Sequence, residues 1–288
     1  MLKRLAAFVL AYPLTVLMMI CCLVGGPYFG GKIIYEKLDA YQHQVLCSNV
    51  LETLSGVRPY TQPVLALKAQ RTRQQQVAEE KEKKRRENPY TKVKQSYLDD
   101  AVFIGDSRTD TLNLYAGWDN ATFFCKTGTN IWAIMDDMVA QDKKTGEAIS
   151  IDEGLQQQKF GKVYIMLGVN ELGTGTAETY YQQFKKVVER IRKLQPDAVI
   201  FVESIIHVAD FADDEGGYVN NKAIDERNAW LKKLEDKNKK IFYIDANTVL
   251  DDENGALRSD WTFDGIHLKA ENIGPWKKYI LAHGVEAD

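Results

Sequence analysis

Beyond about residue 90, the chain alternates between short apolar runs and longer amphipathic stretches. The short runs are rich in Val, Ile and Phe and nearly continuous, which is typical of strands buried on both faces. Strands separated by helices predict a parallel sheet with helices on both sides, so we expect residues 90–288 to form one three-layer α/β domain. The predicted strands are AVFIGDS, ATFFCKTG, KVYIMLGVN, AVIFVESII and KIFYIDA.

The stretches between and after these strands repeat apolar residues at helical spacing. One of them, NIWAIMDDMV, would place Ile131, Ile134, Met135 and Met138 on one helical face. We therefore expect a helix there as well as in the more strongly amphipathic segments. The other predicted helices are RTDTLNLY, TAETYYQQFKKVVERIRKLQ, NNKAIDERNAWLKKLED and KAENIGPWKKYILAHG.

The amino-terminal segment is uniformly apolar. After Lys3 and Arg4, no charged residue appears until Lys32. The run is about as long as the roughly 20 apolar residues that span a bilayer, and basic residues mark the cytoplasmic side. It predicts a short cytoplasmic end and a single transmembrane anchor over residues 1–31, with the rest of the chain outside the cytoplasm. The alternative is a cleaved signal peptide and secretion, although the apolar core is long for one and no A-x-A site follows.

Residues 32–89 are expected to connect this anchor to the domain. From Leu65 to Glu87 the sequence is helix-prone and carries charges of both signs. This pattern favours a solvated helical stalk, and the alternative is a segment that binds a partner or lipid headgroups. Pro89 ends the helix, because proline disfavours helical conformation in the residue before it.

Composition excludes several classes of function. The 288 residues carry a net charge of −3, so nothing suggests a nucleic-acid partner. Of the four cysteines, two lie in the apolar run, which leaves Cys47 and Cys125. Two separated cysteines form neither a disulfide framework nor a zinc site, and no bridge between them is predicted.

Candidate chemistry lies where the predicted strands end, the edge at which open α/β sheets bind ligands. Ser107 follows the first strand and precedes a helix. It is either the N-cap of that helix or a nucleophile, since serine suits both positions. Gly105 would relieve crowding beside it, and the amino end of a helix favours developing negative charge.

A nucleophilic serine needs a base, and the chain has four histidines. His43 and His283 are most simply surface residues, and His207 is most simply a packed or loop residue. His267 lies three residues after Asp264, with Gly265 between them. A carboxylate on such a turn can orient the imidazole toward a serine, while the alternative is an ordinary turn before a helix.

An oxyanion site would need two or three converging hydrogen-bond donors. The candidates are the backbone N–H of Ser107, the backbone N–H of Gly128 and the side-chain amide of Asn170. Each also has a structural alternative as a loop or turn residue. Together the candidates stand in order along an α/β chain, which favours a joint function.

These residues resemble the SGNH hydrolase family, also called GDSL-type esterases. Ser107 in GDSR, Gly128 in KTGTN, Asn170 in GVNE and the Asp264/His267 pair in DGIHL match its four blocks over about residues 99–283. The resemblance implies a flavodoxin-like α/β/α sandwich with a five-stranded parallel sheet. It also implies acyl transfer from an ester through an acyl-serine, with no metal or organic cofactor.

Two positions depart from the family pattern. Arg108 replaces a leucine, and Glu171 replaces the usual aspartate after the asparagine. The anchor and stalk are additions that resemble those of bacterial surface proteins of this family. We therefore expect a membrane-anchored serine esterase that removes O-acyl groups, with O-acetyl as the expected group, from a cell-envelope carbohydrate.

Two alternatives remain open from the sequence. One is an O-acetyltransferase that uses the same serine beside a membrane-bound O-acyltransferase, and the other is a non-catalytic glycan-binding protein. A lipase is less favoured, because no apolar lid segment lies near the motifs. Residues 208–220 are acidic and contain glycine, so they form either a mobile loop at the mouth of the site or a plain surface loop.

Overall fold

A computed structural model of the chain describes residues 70–80, 83, 88–214 and 216–285. The chain divides into two units, Met1–Glu79 and Glu80–Asp288. In the first, residues 70–79 are helical and exposed. The predicted anchor over residues 1–31 and Cys47 lie outside the described residues. Among the residues that are described, no helix is both long and apolar enough to cross a bilayer.

The second unit is built on five parallel strands in the order β2-β1-β5-β6-β7. This confirms the predicted α/β class and the five-stranded parallel sheet. A separate antiparallel pair, β3 and β4, lies outside the main sheet. The strands are β1 Ala101–Gly105, β2 Thr122–Cys125, β3 Met138–Gln141, β4 Ala148–Ser150, β5 Lys162–Met166, β6 Val199–Glu203 and β7 Ile241–Ile244.

Alternate side chains of the central strands enter two separate hydrophobic cores, one on each face of the sheet. Val102 and Ile104 of β1 enter one core, while Phe103 enters the other and stacks on Tyr164 of β5 with ring centroids 4.5 Å apart. The helices of the domain are α1 Ser107–Tyr115, α2 Ile151–Gln157, α3 Ala177–Leu194, α4 Asn221–Leu231, α5 Asn247–Leu250 and α6 Gly274–Ala282.

The helix predicted for NIWAIMDDMV is wrong. The segment forms a short 3-10 turn, Ile134–Asp136, and then enters β3 at Met138. Ile131 and Ile134 are buried as the periodicity suggested, but Met138 is exposed and Asp137 is buried. Pairing with β4 and the hydrogen bonds of the Asp137 carboxylate outweigh a helical preference that rested on four apolar residues.

The strand order reverses between β1 and β5, both of which end at the same edge of the sheet. A crevice at such a reversal is the usual ligand site of an open α/β sheet. Gly105 ends β1 here, and a Cβ on it would lie 2.5 Å from the Met166 carbonyl oxygen and 2.0 Å from Thr109 Oγ1. Only glycine lets the chain turn this tightly from β1 into α1.

Candidate active site

Ser107 is the first residue of α1, directly beyond the end of β1. The N-cap of this helix is Asp106, whose carboxylate accepts the backbone N–H of Arg108 at 2.9 Å. Ser107 therefore does not act as the cap. Its Oγ lies 2.8 Å from His267 Nε2, and its backbone N–H is in the first turn, where helical N–H groups lack an intrahelical acceptor.

The imidazole of His267 is held between two oxygen atoms. Its Nδ1 lies 2.7 Å from Asp264 Oδ2, and its Nε2 faces the Ser107 hydroxyl. An ionised carboxylate can only accept hydrogen bonds, so the proton is on Nδ1 and Nε2 is free to accept the hydroxyl proton. The structure thus brings Ser107, His267 and Asp264 into one chain of hydrogen bonds, as expected for a serine hydrolase.

Asp264 also folds the turn that carries His267. Its Oδ1 accepts the backbone N–H of Ile266 at 2.9 Å and that of His267 at 2.8 Å. Burial pulls the pKa of Asp264 upward, but hydrogen bonds from His267 and Ile266 outweigh it and hold the pKa well below its usual range. The carboxylate therefore stays ionised wherever His267 can act as a base.

Gly128 lies in the turn after β2, with φ of +75°, a left-handed conformation that favours glycine. A Cβ at this position would meet nothing within 4 Å, so the residue faces open space. Asn170 follows β5, and its Nδ2 donates to the Thr129 carbonyl oxygen at 2.8 Å. The loops after β2 and β5 are therefore joined at the residue next to Gly128, and the second N–H of the amide stays available.

Two buried ionisable residues directly follow Ser107 and Asn170 in the sequence. Arg108 and Glu171, the two departures from the family pattern, are 3% and 1% exposed. Arg108 Nη1 donates to the Ile206 carbonyl oxygen at 2.5 Å, and Glu171 Oε1 accepts the Ile131 N–H at 2.5 Å. Glu171 thus ties the loop after Gly128 to the loop that carries Asn170. Burial raises the pKa of Glu171 to about 7.

Sequence reasoning assigned no role to Asp106 or Asp137, and it identified Glu171 only as a departure from the family pattern. Asp106 carried one signal, because aspartate is a favoured N-cap as much as serine is. Glu171 and Asp137 are acidic residues that are normally exposed, and nothing local marks them as buried. Among the residues that the structure describes, no cluster of His, Cys, Asp or Glu could hold a metal ion.

The loop over residues 208–220 lies beside the Asp264–His267 turn. The N–H of Ala209 donates to the Gly265 carbonyl oxygen at 2.9 Å, and a Cβ on Gly265 would lie 2.2 Å from Ala212 Cβ. Gly265 has φ of +80°, so glycine is needed both for the turn and for this close approach. Of the two interpretations of this loop, the contacts favour a position at the site.

The other two described histidines form hydrogen bonds with residues other than Ser107. His283 Nδ1 is 2.8 Å from the Tyr279 carbonyl oxygen in α6. His207 is buried, with Nδ1 2.7 Å from Asp251 Oδ2 and Nε2 3.0 Å from Asp225 Oδ1. Burial disfavours the charged imidazole, but the two aspartates outweigh it and raise the pKa of His207 above 6.5. His207 is thus a structural link between α4 and the loop after α5.

We expect His207 to make the stability of the protein depend on pH. A histidine whose pKa is raised on folding contributes stability that is fully present below its unfolded pKa, and this stability is lost as pH rises through the folded value. The free energy of unfolding of the wild type should therefore fall, relative to that of His207→Gln, as pH rises from about 6 to 9. Urea unfolding of both proteins across this range measures the difference, and parallel curves would contradict the link.

Comparisons with known proteins identify a family for this chain. The family model described as GDSL-like lipase/acylhydrolase matches residues 103–271. No curated protein matches the chain. A GDSL-like lipase from Bacteroides thetaiotaomicron is 16% identical over 63% of this chain and 86% of its own, with a TM-score of 0.46.

Two carbohydrate esterases are among the similar solved structures. The family 3 enzyme from Talaromyces cellulolyticus is 14% identical over 63% of this chain and 92% of its own, with a TM-score of 0.43. An active-site mutant of the family 2 enzyme from Clostridium thermocellum is 14% identical over 63% of this chain and 62% of its own, also with a TM-score of 0.43.

Proposed function

Because this chain belongs to the GDSL-like lipase/acylhydrolase family and is a serine hydrolase of ester bonds, we propose that Ser107 is its nucleophile. The observation that carries this proposal is the hydrogen-bonded chain from Ser107 Oγ through His267 to Asp264. Serine is a weak nucleophile unless a base removes its proton, and His267 Nε2 is within reach to do so.

In the proposed reaction, Ser107 Oγ bonds to the ester carbonyl carbon while its proton passes to His267 Nε2. The resulting imidazolium is stabilised by Asp264. When the tetrahedral intermediate collapses, the C–O bond to the alcohol breaks and His267 returns the proton to the departing oxygen. Water then loses a proton to His267 and attacks the acyl carbon. When this second tetrahedral intermediate collapses, the bond from the acyl carbon to Ser107 Oγ breaks, the acid leaves, and His267 returns the proton to Oγ.

The developing oxyanion requires donors that are fixed in advance. We assign this role to the Ser107 N–H, the Gly128 N–H and the free N–H of the Asn170 amide. Two observations support the assignment. Ser107 N–H lies at the amino end of α1, and the Thr129 carbonyl holds the Asn170 amide beside Gly128.

The proposed substrate is an O-acyl, specifically O-acetyl, group on a cell-envelope carbohydrate. Support comes from aromatic side chains that are exposed on the loops of the site. Flat aromatic faces pack against the C–H faces of sugar rings, and large exposed apolar side chains clustered at a cleft mark binding surfaces. Their exposures are Phe263 85%, Tyr218 74%, Phe211 61% and Trp132 42%.

Each of these side chains is close to a site residue. Phe263 directly precedes Asp264, and the ring of Phe211 lies against Gly265, where a Cβ would be 3.1 Å from its Cε2. Tyr218 packs over Gly173, three residues after Asn170. Trp132 follows the loop that carries Gly128. The aromatic side chains thus come from three loops, with Phe211 and Tyr218 on the same one.

The proposed location is the outer face of the cytoplasmic membrane, with residues 1–31 as a single anchor. The support is the uncharged run between Arg4 and Lys32 and the two basic residues before it. Such a location would place the domain beside envelope glycans and within reach of a membrane-bound O-acyltransferase. Alkaline extraction of cell membranes tests the anchor, since a secreted, cleaved protein would be found in the medium.

We expect Phe263→Ala to raise KM for an O-acetylated oligosaccharide by about 10-fold, because removing one stacked aromatic ring costs on the order of 1 kcal/mol. Hydrolysis of p-nitrophenyl acetate, which has no sugar, should change less than about twofold in KM. Tyr115→Ala is the matched control, because Tyr115 is exposed at the far end of α1 from Ser107. An equal rise in KM for the oligosaccharide and for p-nitrophenyl acetate would contradict a carbohydrate site at Phe263.

The function itself is tested by incubating the full chain with an O-acetylated polysaccharide and measuring free acetate. Release that depends on Ser107 supports the esterase. Acetyl groups that move from p-nitrophenyl acetate to an added glycan, without free acetate, would replace it with the O-acetyltransferase. Glycan binding that Ser107→Ala leaves intact, with no acetyl chemistry in the wild type, would identify a non-catalytic binding protein.

A further inference from the structure

The turn that carries Gly128 is held at its two ends. At its start, the Lys126 N–H donates to the Gly105 carbonyl oxygen at 3.2 Å, which joins it to the strand before Ser107. At its end, the Thr129 N–H donates back to the Lys126 carbonyl oxygen at 3.2 Å. Among the described residues, none accepts a hydrogen bond from the Gly128 N–H. It is therefore available to a ligand, and its direction depends on the geometry of residues 126–129.

Asp137 binds both ends of this turn through one carboxylate. Its Oδ1 accepts Lys126 Nζ at 2.5 Å, and its Oδ2 accepts the Thr129 hydroxyl. Asp137 is 6% exposed and Thr129 is also buried. Charge-assisted hydrogen bonds of this kind are stronger than neutral ones, particularly away from water. The carboxylate thus fixes the two residues on either side of Thr127 and Gly128.

The same turn orients the side chain of Asn170. Thr129 receives the Asn170 amide on its backbone carbonyl while its hydroxyl donates to Asp137. Two of the three proposed oxyanion donors therefore depend on where Thr129 is held. Asp137 directly precedes β3, outside the central sheet and outside the four sequence blocks that resemble the family.

We propose that Asp137 is a positioning residue for the oxyanion hole, acting through Thr129 on both Gly128 and Asn170. This inference rests on the proposed function, because it presumes that these two groups stabilise an oxyanion. Asp137 itself does not touch the reacting atoms. Its removal should weaken binding of the transition state and leave binding of the ester ground state nearly unchanged.

The first test compares the wild-type full chain with Asp137→Ala on p-nitrophenyl acetate. We expect kcat to fall by about 10- to 100-fold, less than the 10²- to 10³-fold loss of a whole donor, with KM within about twofold. Asp136→Ala is the matched control, since this neighbouring aspartate is exposed and should keep wild-type kcat. Thermal melting and far-UV circular dichroism check that each variant is folded.

If Asp137→Ala does not fold, two variants of Thr129 test the role of Asp137 instead. Thr129→Val removes the hydroxyl that binds Asp137 but keeps the carbonyl that binds Asn170, whereas Thr129→Ser keeps both. We expect kcat to fall in Thr129→Val and to stay near the wild-type value in Thr129→Ser. Equal kcat values in the two variants would overturn the proposal.

A double-mutant cycle with Asn170→Ala distinguishes positioning from general damage. If Asp137 acts through the oxyanion hole, the double variant should lose less than the product of the two single losses. A second measurement compares an ester with its thionoester, in which sulfur replaces the carbonyl oxygen. Sulfur is a poorer acceptor for the oxyanion donors, so the ratio of kcat for the ester to kcat for the thionoester should be smaller in Asp137→Ala than in the wild type. Multiplicative losses with an unchanged ratio would overturn the proposal.

The measurements distinguish a failure of the proposed role of Asp137 from a failure of the proposed esterase function. An active wild type with unchanged kcat in Asp137→Ala and Thr129→Val overturns the role of Asp137 alone. A wild type that neither hydrolyses p-nitrophenyl acetate nor becomes acetylated at Ser107 overturns the proposed function, and this role with it.

Discussion

Replacing Ser107 by Ala is expected to lower kcat for p-nitrophenyl acetate on the order of 10⁴- to 10⁶-fold. The variant keeps the binding surface and the oxyanion donors but lacks the atom that forms the acyl intermediate. It should remain folded, because Asp106 and not Ser107 caps α1. Thermal melting should therefore show a midpoint close to that of the wild type, so the loss can be assigned to chemistry.

The serine control for this experiment is Ser96→Ala. Ser96 is exposed and precedes β1, so it lies at the opposite edge of the sheet from Ser107. Its removal should leave kcat within about twofold of the wild-type value. If Ser107→Ala instead hydrolysed the ester as fast as Ser96→Ala, the hydroxyl would have no part in the reaction.

His267→Ala is expected to cost nearly as much as Ser107→Ala, because the serine is inert without a base. Removing both side chains should cost no more than removing either one, since the two act as a unit. The chain from Ser107 Oγ to His267 Nε2 at 2.8 Å and on to Asp264 is the physical reason for this coupling. Steady-state kinetics of the two single variants and the double variant measure it.

His283→Ala provides the matched histidine control. Its imidazole contacts the Tyr279 carbonyl oxygen in α6 and does not enter the site, so kcat should be close to the wild-type value. If the double variant lost kcat by the product of the two single losses, the two side chains would not share one proton transfer.

Much of the fold follows from apolar periodicity in the sequence. The three central strands β1, β5 and β6 are buried on both faces, so each appears as a nearly continuous apolar run. The long helix α3 also has a strong amphipathic pattern and begins at a capping box formed by Thr176 and Thr179. These signals are local, and the structure confirms the elements they predict.

The connection between β2 and α2 could not be predicted in this way. Its four apolar residues fit a helix, but long-range contacts decide its conformation: β3 pairs with β4, and Asp137 binds the turn after β2. Local sequence does not show that an aspartate will be buried by partners elsewhere in the chain. The burial of Glu171 could not be predicted for the same reason, because its partner Ile131 is forty residues away in sequence.

The proposed site residues were identified in the sequence by residue type and by their order along the chain. The structure adds the hydrogen bonds that distinguish a capping serine from a nucleophile. A serine after a strand is equally suited to capping and to catalysis, and the choice depends on the residue before it. Asp106 takes the cap through the Arg108 N–H, which leaves the Ser107 hydroxyl to His267. A one-residue difference in the start of the helix therefore separates the two interpretations.

Mass spectrometry of the full chain, quenched during hydrolysis of p-nitrophenyl acetate, tests directly whether Ser107 is the nucleophile. We expect a burst of about one p-nitrophenolate per chain, one acetyl group on the peptide that contains Ser107, and steady turnover afterwards. Steady hydrolysis with no acetyl group on that peptide under any quench, or with the acetyl group on another residue, would contradict Ser107 as the nucleophile.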